Sequence, residues 1–149
     1  MSTKQTQRQE WMAALALADE GRLREAWDSM AARPDYQIVR GPETGLVMAR
    51  ARSGNVGERF NLGEMTVTRC SVSLADGIMG HAFIGGIKPG HACLAAVFDA
   101  LMQLPERREG LRQELIEPLL RKRQEHLARR HDEVRPSRVD FFTLVRGEE

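Results

Sequence analysis

Cys70, His81, His91 and Cys93 are residue types that ligate metals or act as nucleophiles, so their spacing decides what chemistry is open to them. They stand 11, 10 and 2 residues apart in chain order, and no interval makes the paired pattern of a zinc site. Both cysteines read as free thiols, because they are isolated in sequence and a reducing cytoplasm disfavours a disulfide between them. His126 and His131 lie five apart on a helical stretch. That spacing sets them roughly 140° apart around a helix axis, so they do not converge. There is no G-x-S-x-G elbow to raise a serine nucleophile, and Cys93 fits the role of a small apolar packing residue better than that of an attacking one. These residues name no catalytic group, and no metal site is expected.

The arginines are more suggestive. SGNVGERFNLG, residues 53–63, combines three glycines with Arg59, and backbone N–H groups beside a guanidinium are suited to cradling phosphate. The segment lacks the Lys-Ser/Thr ending of a Walker loop, and a flexible hairpin is the competing account of the same glycines. Arg69, in a strand-like stretch, is a second candidate anion contact; its alternative is a pairing with a neighbouring carboxylate. The basic runs 121–123 and 129–130 are interspersed with Glu117, Glu125, Asp132 and Glu133, which marks a solvated helix. One Tyr and five Phe are too few to build the stacking platforms of a single-strand nucleic-acid binder.

Helices and strands must position these groups. Trp11, Leu15 and Ala18 recur at helical spacing over 7–19, with Thr6 as the expected cap, and Leu23, Ala26, Trp27 and Met30 predict a second helix stopped by Pro34. Segments 36–40, 45–52, 65–74 and 77–85 have strand texture and are parted by Gly, Pro, Asn and Asp. The GPETG segment at 41–45 and the ADG turn at 75–77 are too short for parallel crossovers, so the sheet should be antiparallel. In the third strand, Met65, Val67, Arg69, Ser71 and Ser73 share one face, while Thr66, Thr68, Cys70, Val72 and Leu74 share the other. Neither face is wholly apolar, so contacts beyond one core are expected. A stripe of Leu94, Val97, Phe98, Leu101 and Leu104 between Pro89 and Pro105 predicts a helix covering the sheet. The charged stretch 106–133 reads as one or two surface helices broken near Pro118. The fold expected is an α+β domain: a central antiparallel sheet of four or five strands with N-terminal and C-terminal helices.

Length and charge set the outer limits. At 149 residues the chain suits one domain, residues 1–149. With 42% hydrophobic and 29% charged residues it has the balance of a folding globular protein, not of a disordered one. A net charge of +1 provides no global attraction to nucleic acid or anionic membrane. The polar start MSTKQTQRQE and the lack of a ~20-residue apolar run point to the cytoplasm. The ending SRVDFFTLVRGEE turns apolar again and needs cover. Val139, Phe141, Phe142, Leu144 and Val145 supply its apolar area, with Arg138 and Arg146 able to fix register. Residues 137–149 are thus expected either to dock on a partner or to return to the chain's own sheet as a fifth strand.

Taken together, DYQIVRGPETGLV at 35–47, GERF at 57–60, TVTRCSVSLADG at 66–77, DALMQ at 99–103 and SRVDFFTLVRG at 137–147 resemble the PhnG family, the G subunits of the bacterial carbon–phosphorus lyase core complex. The similarity spans nearly the whole chain. Family members tend to carry Arg after Gly86, where this chain has Ile87 and then Lys88; a lysine there would serve as a point charge without a bidentate fork.

The resemblance implies a subunit of a hetero-oligomer with PhnH, PhnI and PhnJ, functionally associated with PhnL. That assembly transfers methylphosphonate to the ribose C1′ of MgATP, releasing adenine and forming α-D-ribose 1-methylphosphonate 5-triphosphate. It places nucleosidase chemistry on PhnI. The iron–sulfur cluster and S-adenosylmethionine belong to PhnJ, consistent with a chain that has only two cysteines to offer such a cluster. No cofactor is expected on this chain. Its expected contribution is to scaffold the assembly, with Arg59 and Arg69 as anion contacts near a subunit junction and residues 138–146 docking on PhnI. The competing reading is a catalytically inert interaction subunit of the same complex.

Overall fold

In a computed structural model, the structure describes residues 3–53 and 57–134. The elements run α1 (Thr3–Leu17), α2 (Glu20–Asp28), β1 (Tyr36–Arg52), β2 (Arg59–Leu74), β3 (Met79–Gly85), α3 (Pro89–Gln103), α4 (Pro105–Leu111), a π-helical turn (Arg112–Ile116) and α5 (Glu117–Val134). The architecture is α+β with one antiparallel sheet, as expected. Among the described residues, however, the sheet has three strands in the order β1-β2-β3, not four or five.

The difference lies in the GPETG segment. It does not turn the chain; residues 36–52 run as one strand beside β2. The register steps from Arg40↔Ser71 to Glu43↔Arg69, so Gly41 and Pro42 bulge out opposite Cys70. An edge strand accommodates this, since Pro42 has no N–H to give to a ladder and β1 has a neighbour on one side only. Of two further β1–β2 irregularities, one falls between Ile38 and Arg40 and the other faces Leu62, where Ala49↔Gly63 is followed by Arg50↔Asn61. The ADG segment does turn the chain: Gly77 N–H donates to Leu74 C=O at 2.9 Å and closes the β2–β3 hairpin.

The core lies between the sheet and α3. Along β2 the even positions Thr68, Cys70, Val72 and Leu74 are buried, and Ala82 and Ile84 of β3 join them. From α3, Leu94, Val97, Phe98 and Leu101 are buried as their spacing required. Gly80 lets helix and sheet meet closely, for a Cβ there would overlap the Ala96 carbonyl oxygen. Trp11, Leu15 and Leu23 bring α1 and α2 into the same core. Thr6 lies inside α1 and does not cap it, since the helix already includes Thr3. Asp19 caps α2, accepting from Gly21 N–H at 2.9 Å.

Pro118 produces the irregularity in the last helical run. It cannot donate to the Glu114 carbonyl four residues back, and the preceding turn loosens to a π geometry in which Glu117 N–H reaches Arg112 C=O. Arg22 of α2 supplies the donor that Pro118 lacks, at 3.1 Å from the Glu114 carbonyl oxygen. Among the described residues no helix is long and apolar enough to cross a membrane.

Candidate interaction surface

Two strands much longer than the third leave part of the sheet uncovered. β3 pairs with β2 only from Val67 to Ser73, whereas β1 and β2 continue as a two-stranded ribbon out to Arg52↔Arg59. Apolar side chains occur on both sides of this ribbon. Leu46 is 63% and Met48 52% exposed on one side; Val47 and its cross-strand partner Met65 are exposed on the other, as alternation along a strand demands. Phe60 and Leu62 continue the exposed series toward the ribbon's end, and Phe83 adds to it on β3. Solitary exposed apolar residues are ordinary, but a run of them on paired strands marks a surface that another surface covers.

Polar groups form a second row on the sheet face opposite α3. Arg69 Nε donates to Glu43 Oε1 at 2.6 Å, and Arg40 Nε donates to the same oxygen at 2.7 Å. Hydrogen bonding from Arg40, followed by that from Arg69, outweighs burial and holds the Glu43 carboxyl below its ordinary value. Two guanidiniums on one carboxylate leave a local surplus of positive charge. Next along the face, Ser71 Oγ and His81 Nδ1 are 2.9 Å apart in register. Among the described residues no carboxylate hydrogen-bonds the other imidazole nitrogen, so this pair lacks the orienting third group of a nucleophilic triad. A shallow depression of about 150 Å³, lined by Glu43, Val47, Val67, Arg69 and Phe83 among others, joins the charged row to the apolar one.

Arg59 and Arg69 do not converge. Both lie on β2, ten residues apart, and a rise of about 3.3 Å per residue separates them by roughly 30 Å, too far for one phosphate to bridge. Arg59 also begins a strand rather than standing on a glycine loop, so only 53–58 remain to connect the ribbon's strands. Residues Arg138, Val139, Phe141, Phe142, Leu144, Val145 and Arg146 lie outside the described residues.

The corner after β3 is fixed by Thr68. Its hydroxyl donates to Gly86 C=O at 2.7 Å and accepts from Lys88 N–H at 3.0 Å. With that proton committed, the 3.1 Å contact with Thr44 has the Thr44 hydroxyl as donor. Gly86 sits at φ +90°, a conformation in which a side chain is strained, and the corner leaves Ile87 76% exposed beside the sheet.

His81, His91, Cys70 and Cys93 separate into three places. His81 is on the open sheet face, His91 is buried with Nε2 2.8 Å from the Leu15 carbonyl, and Cys70 meets Cys93 between β2 and α3. Among the described residues no three His, Cys, Asp or Glu side chains gather in metal-ligating range. A cavity of about 630 Å³ lies away from the sheet face, between α1–α2 and α5. Its lining mixes Arg22, Lys122, Arg123 and His126 with Asp19 and Glu25, so it has no single electrostatic character.

Sequence reasoning missed Asp99. This fully buried carboxylate accepts from Arg8 Nε and Nη2, from Trp11 Nε1 and from the backbone N–H of His81. An acid set inside the apolar stripe of α3 was the available signal, because a charge at a core position must be partnered.

The family model for "Phosphonate metabolism protein PhnG" matches residues 6–147. The curated relative "Alpha-D-ribose 1-methylphosphonate 5-triphosphate synthase subunit PhnG" of Rhizobium meliloti (strain 1021) is 45% identical over 143 residues, covering 96% of this chain and 91% of that protein. An end-to-end family match and a relative of this similarity, on a chain that leaves a long apolar ribbon uncovered, establish that it belongs to the PhnG family.

Proposed function

We propose that this chain is a non-autonomous subunit of the carbon–phosphorus lyase core complex, where it supports transfer of methylphosphonate to the ribose C1′ of MgATP with release of adenine. The observation that carries the reading is the β1–β2 ribbon, whose two exposed apolar sides call for a partner that embraces it rather than one that abuts a single face. The relative's name, which makes that protein a synthase subunit, supports the same reading. PhnI is the partner proposed for the ribbon and for residues 137–149; PhnH, PhnJ and PhnL complete the functional assembly. Its place of work is the cytoplasm. Cleavage chemistry, with its cluster and S-adenosylmethionine, stays on PhnJ, and nucleosidase chemistry on PhnI.

Within the assembly, Arg69 is the better anion contact of the two arginines. It stands beside Arg40 on a face with more positive than negative charge around Glu43, and a triphosphate or phosphonate approaching from a partner would find both guanidiniums pre-aligned. Arg59, at the far end of the ribbon, serves a separate contact. A complex reconstituted with Arg59→Ala and Arg69→Ala is expected to lose ATP affinity or adenine release; unchanged values for both would reduce the chain to a catalytically inert scaffold. Leu46→Glu with Met48→Glu is expected to abolish copurification with PhnI while the isolated chain keeps its unfolding midpoint. Full copurification of that variant would remove the ribbon from the interface. Deletion of 137–149 tests the ending in the same way: a folded chain that no longer assembles supports docking, and an unfolded chain supports the private strand.

A further inference from the structure

Cys70 and Cys93 are not used by the function proposed above, yet the fold brings them together from opposite sides of the core. Cys70 is on the central strand β2, facing α3; Cys93 is in the first turns of α3. Their sulfurs are 3.6 Å apart, although the residues stand 23 positions apart in sequence. Cys70 is 2% exposed, and Cys93 is partly exposed. Ordinary core packing needs two small apolar side chains at such a spot; it does not need both to be oxidisable, or one to be reachable from solvent and the other sheltered directly behind it. We propose that Cys70 and Cys93 form an oxidisable dithiol, a modification site at which a hydroperoxide converts the pair reversibly to an intramolecular disulfide.

The division of labour follows from the geometry. Burial, and then the contact with Cys93, push the Cys70 thiol up to about 12, so it stays protonated near neutrality and attack on the oxidant falls to Cys93. The Cys93 sulfur attacks the terminal oxygen of the hydroperoxide ROOH. The O–O bond breaks, the departing RO oxygen takes the thiol proton and leaves as ROH, and a sulfenic acid remains on Cys93. Sulfur is oxidised by two electrons and the peroxide is reduced by two. Cys70 is held 3.6 Å from that sulfur and attacks it as its own proton passes to the departing oxygen: the S–S bond forms, the S–O bond breaks, and the hydroxyl leaves as water. A dithiol reductant reverses the change by thiol–disulfide exchange. The bond would pin the start of α3 to the central strand, directly behind the sheet face that carries Arg69 and Ser71.

The test uses the full-length chain, alone and copurified with its partner subunits, exposed under native conditions to hydrogen peroxide near stoichiometry. The expected product has lost two hydrogen masses, yields a peptide cross-link between Cys70 and Cys93, regains both alkylatable thiols with dithiothreitol, and melts about 5 °C higher than the reduced chain. Cys70→Ser is expected to leave a sulfenic acid on Cys93 that dimedone traps; Cys70→Ala serves if the serine variant does not fold. The proposal is overturned if native chain over-oxidises at Cys93 without cross-linking, if it stays fully reduced, or if cross-linking is no faster than in the urea-unfolded chain.

Discussion

Replacing Asp99 with asparagine probes how the core holds the sheet in place. The side chain has no exposure and faces four donor contacts: Arg8 Nε at 3.2 Å and Trp11 Nε1 at 2.9 Å on Oδ1, with Arg8 Nη2 at 2.7 Å and the His81 N–H at 2.9 Å on Oδ2. A carboxylate only accepts, so all four are satisfied. Asparagine keeps one oxygen and turns the other into an NH₂ group, so either orientation sets donors against two donors. Two hydrogen bonds to a charged group amount to about 3–6 kcal/mol. Arg8, whose side chain is 34% exposed, recovers part of this by rehydration. The expected cost of Asp99→Asn is therefore about 3 kcal/mol, seen as a fall in urea midpoint at constant slope and a drop in melting temperature of about 6–12 °C.

The same contacts predict coupling. Arg8→Ala and Asp99→Asn together should cost less than the sum of the single changes by at least about 1 kcal/mol, because each removes part of the other's interaction. The His81 amide gives a local readout: its hydrogen exchange should quicken beyond what the global change explains, since its acceptor sits on Asp99. If Asp99→Asn costs under about 1 kcal/mol, or the two changes add without coupling, the carboxylate is not what ties α1 and the β3 edge to α3.

Gly80→Ala should destabilise the chain by about 3 kcal/mol or prevent folding, because the new Cβ meets α3 backbone at Ala96 and Ala100, which cannot move aside like a flexible side chain; urea unfolding measures it. Glu43 predicts a pH effect of definite sign. Its folded carboxyl lies below the ordinary 4.5, so its stabilising contribution is complete above that value and is lost as pH falls through the lower folded value. The stability difference between wild type and Glu43→Gln should accordingly be present at pH 7 and shrink on the acid side; a difference independent of pH down to full protonation would refute the shared ion pair. Thr68→Val, close in shape but without the hydroxyl, should cost about 1–3 kcal/mol because Gly86 C=O and Lys88 N–H lose their partner, with amide exchange at Lys88 rising first.

Helical spacing and proline placement were enough to read the elements that border the core. The α3 stripe is buried from Leu94 to Leu101, with Leu104 partly buried at the helix cap, and the even face of β2 from Thr68 to Leu74 packs against it. Legibility ended where tertiary pairing overrode local signals. Gly41 and Pro42 carry every mark of a turn, yet a long partner strand absorbed them as a bulge, and the expected strand pair became one. The glycines of 53–63 likewise suggested a loop, although Arg59–Gly63 extends the ladder. Asp99 and Glu43 were only half legible, for a different reason. An acid inside the α3 stripe signals that it needs a partner, and Arg69 could be expected to meet a carboxylate, but which residues meet is set by elements distant in sequence, Arg8 to Asp99 spanning 91 residues and Glu43 to Arg69 spanning 26.

The placement of these two carboxylates bears on how a scaffold subunit can be both firm and receptive. Asp99 lies deep and is wholly satisfied, so it anchors the β3 edge to α1 and α3. Glu43 lies on the open face and binds two arginines through one oxygen, an arrangement an incoming anion can rearrange at small cost because all three groups are already part-hydrated. The three-stranded region is therefore held from beneath, while the β1–β2 ribbon beyond it has neither α3 nor β3 for support along most of its length. A two-stranded ribbon is marginal by itself in water. Its exposed apolar sides and its stability then have one remedy in common: the surface that covers Leu46, Met48, Val47 and Met65 also holds the ribbon's geometry. Slowed amide exchange from 44 to 52 on addition of the partner subunit, with little change in α3, is the pattern this requires.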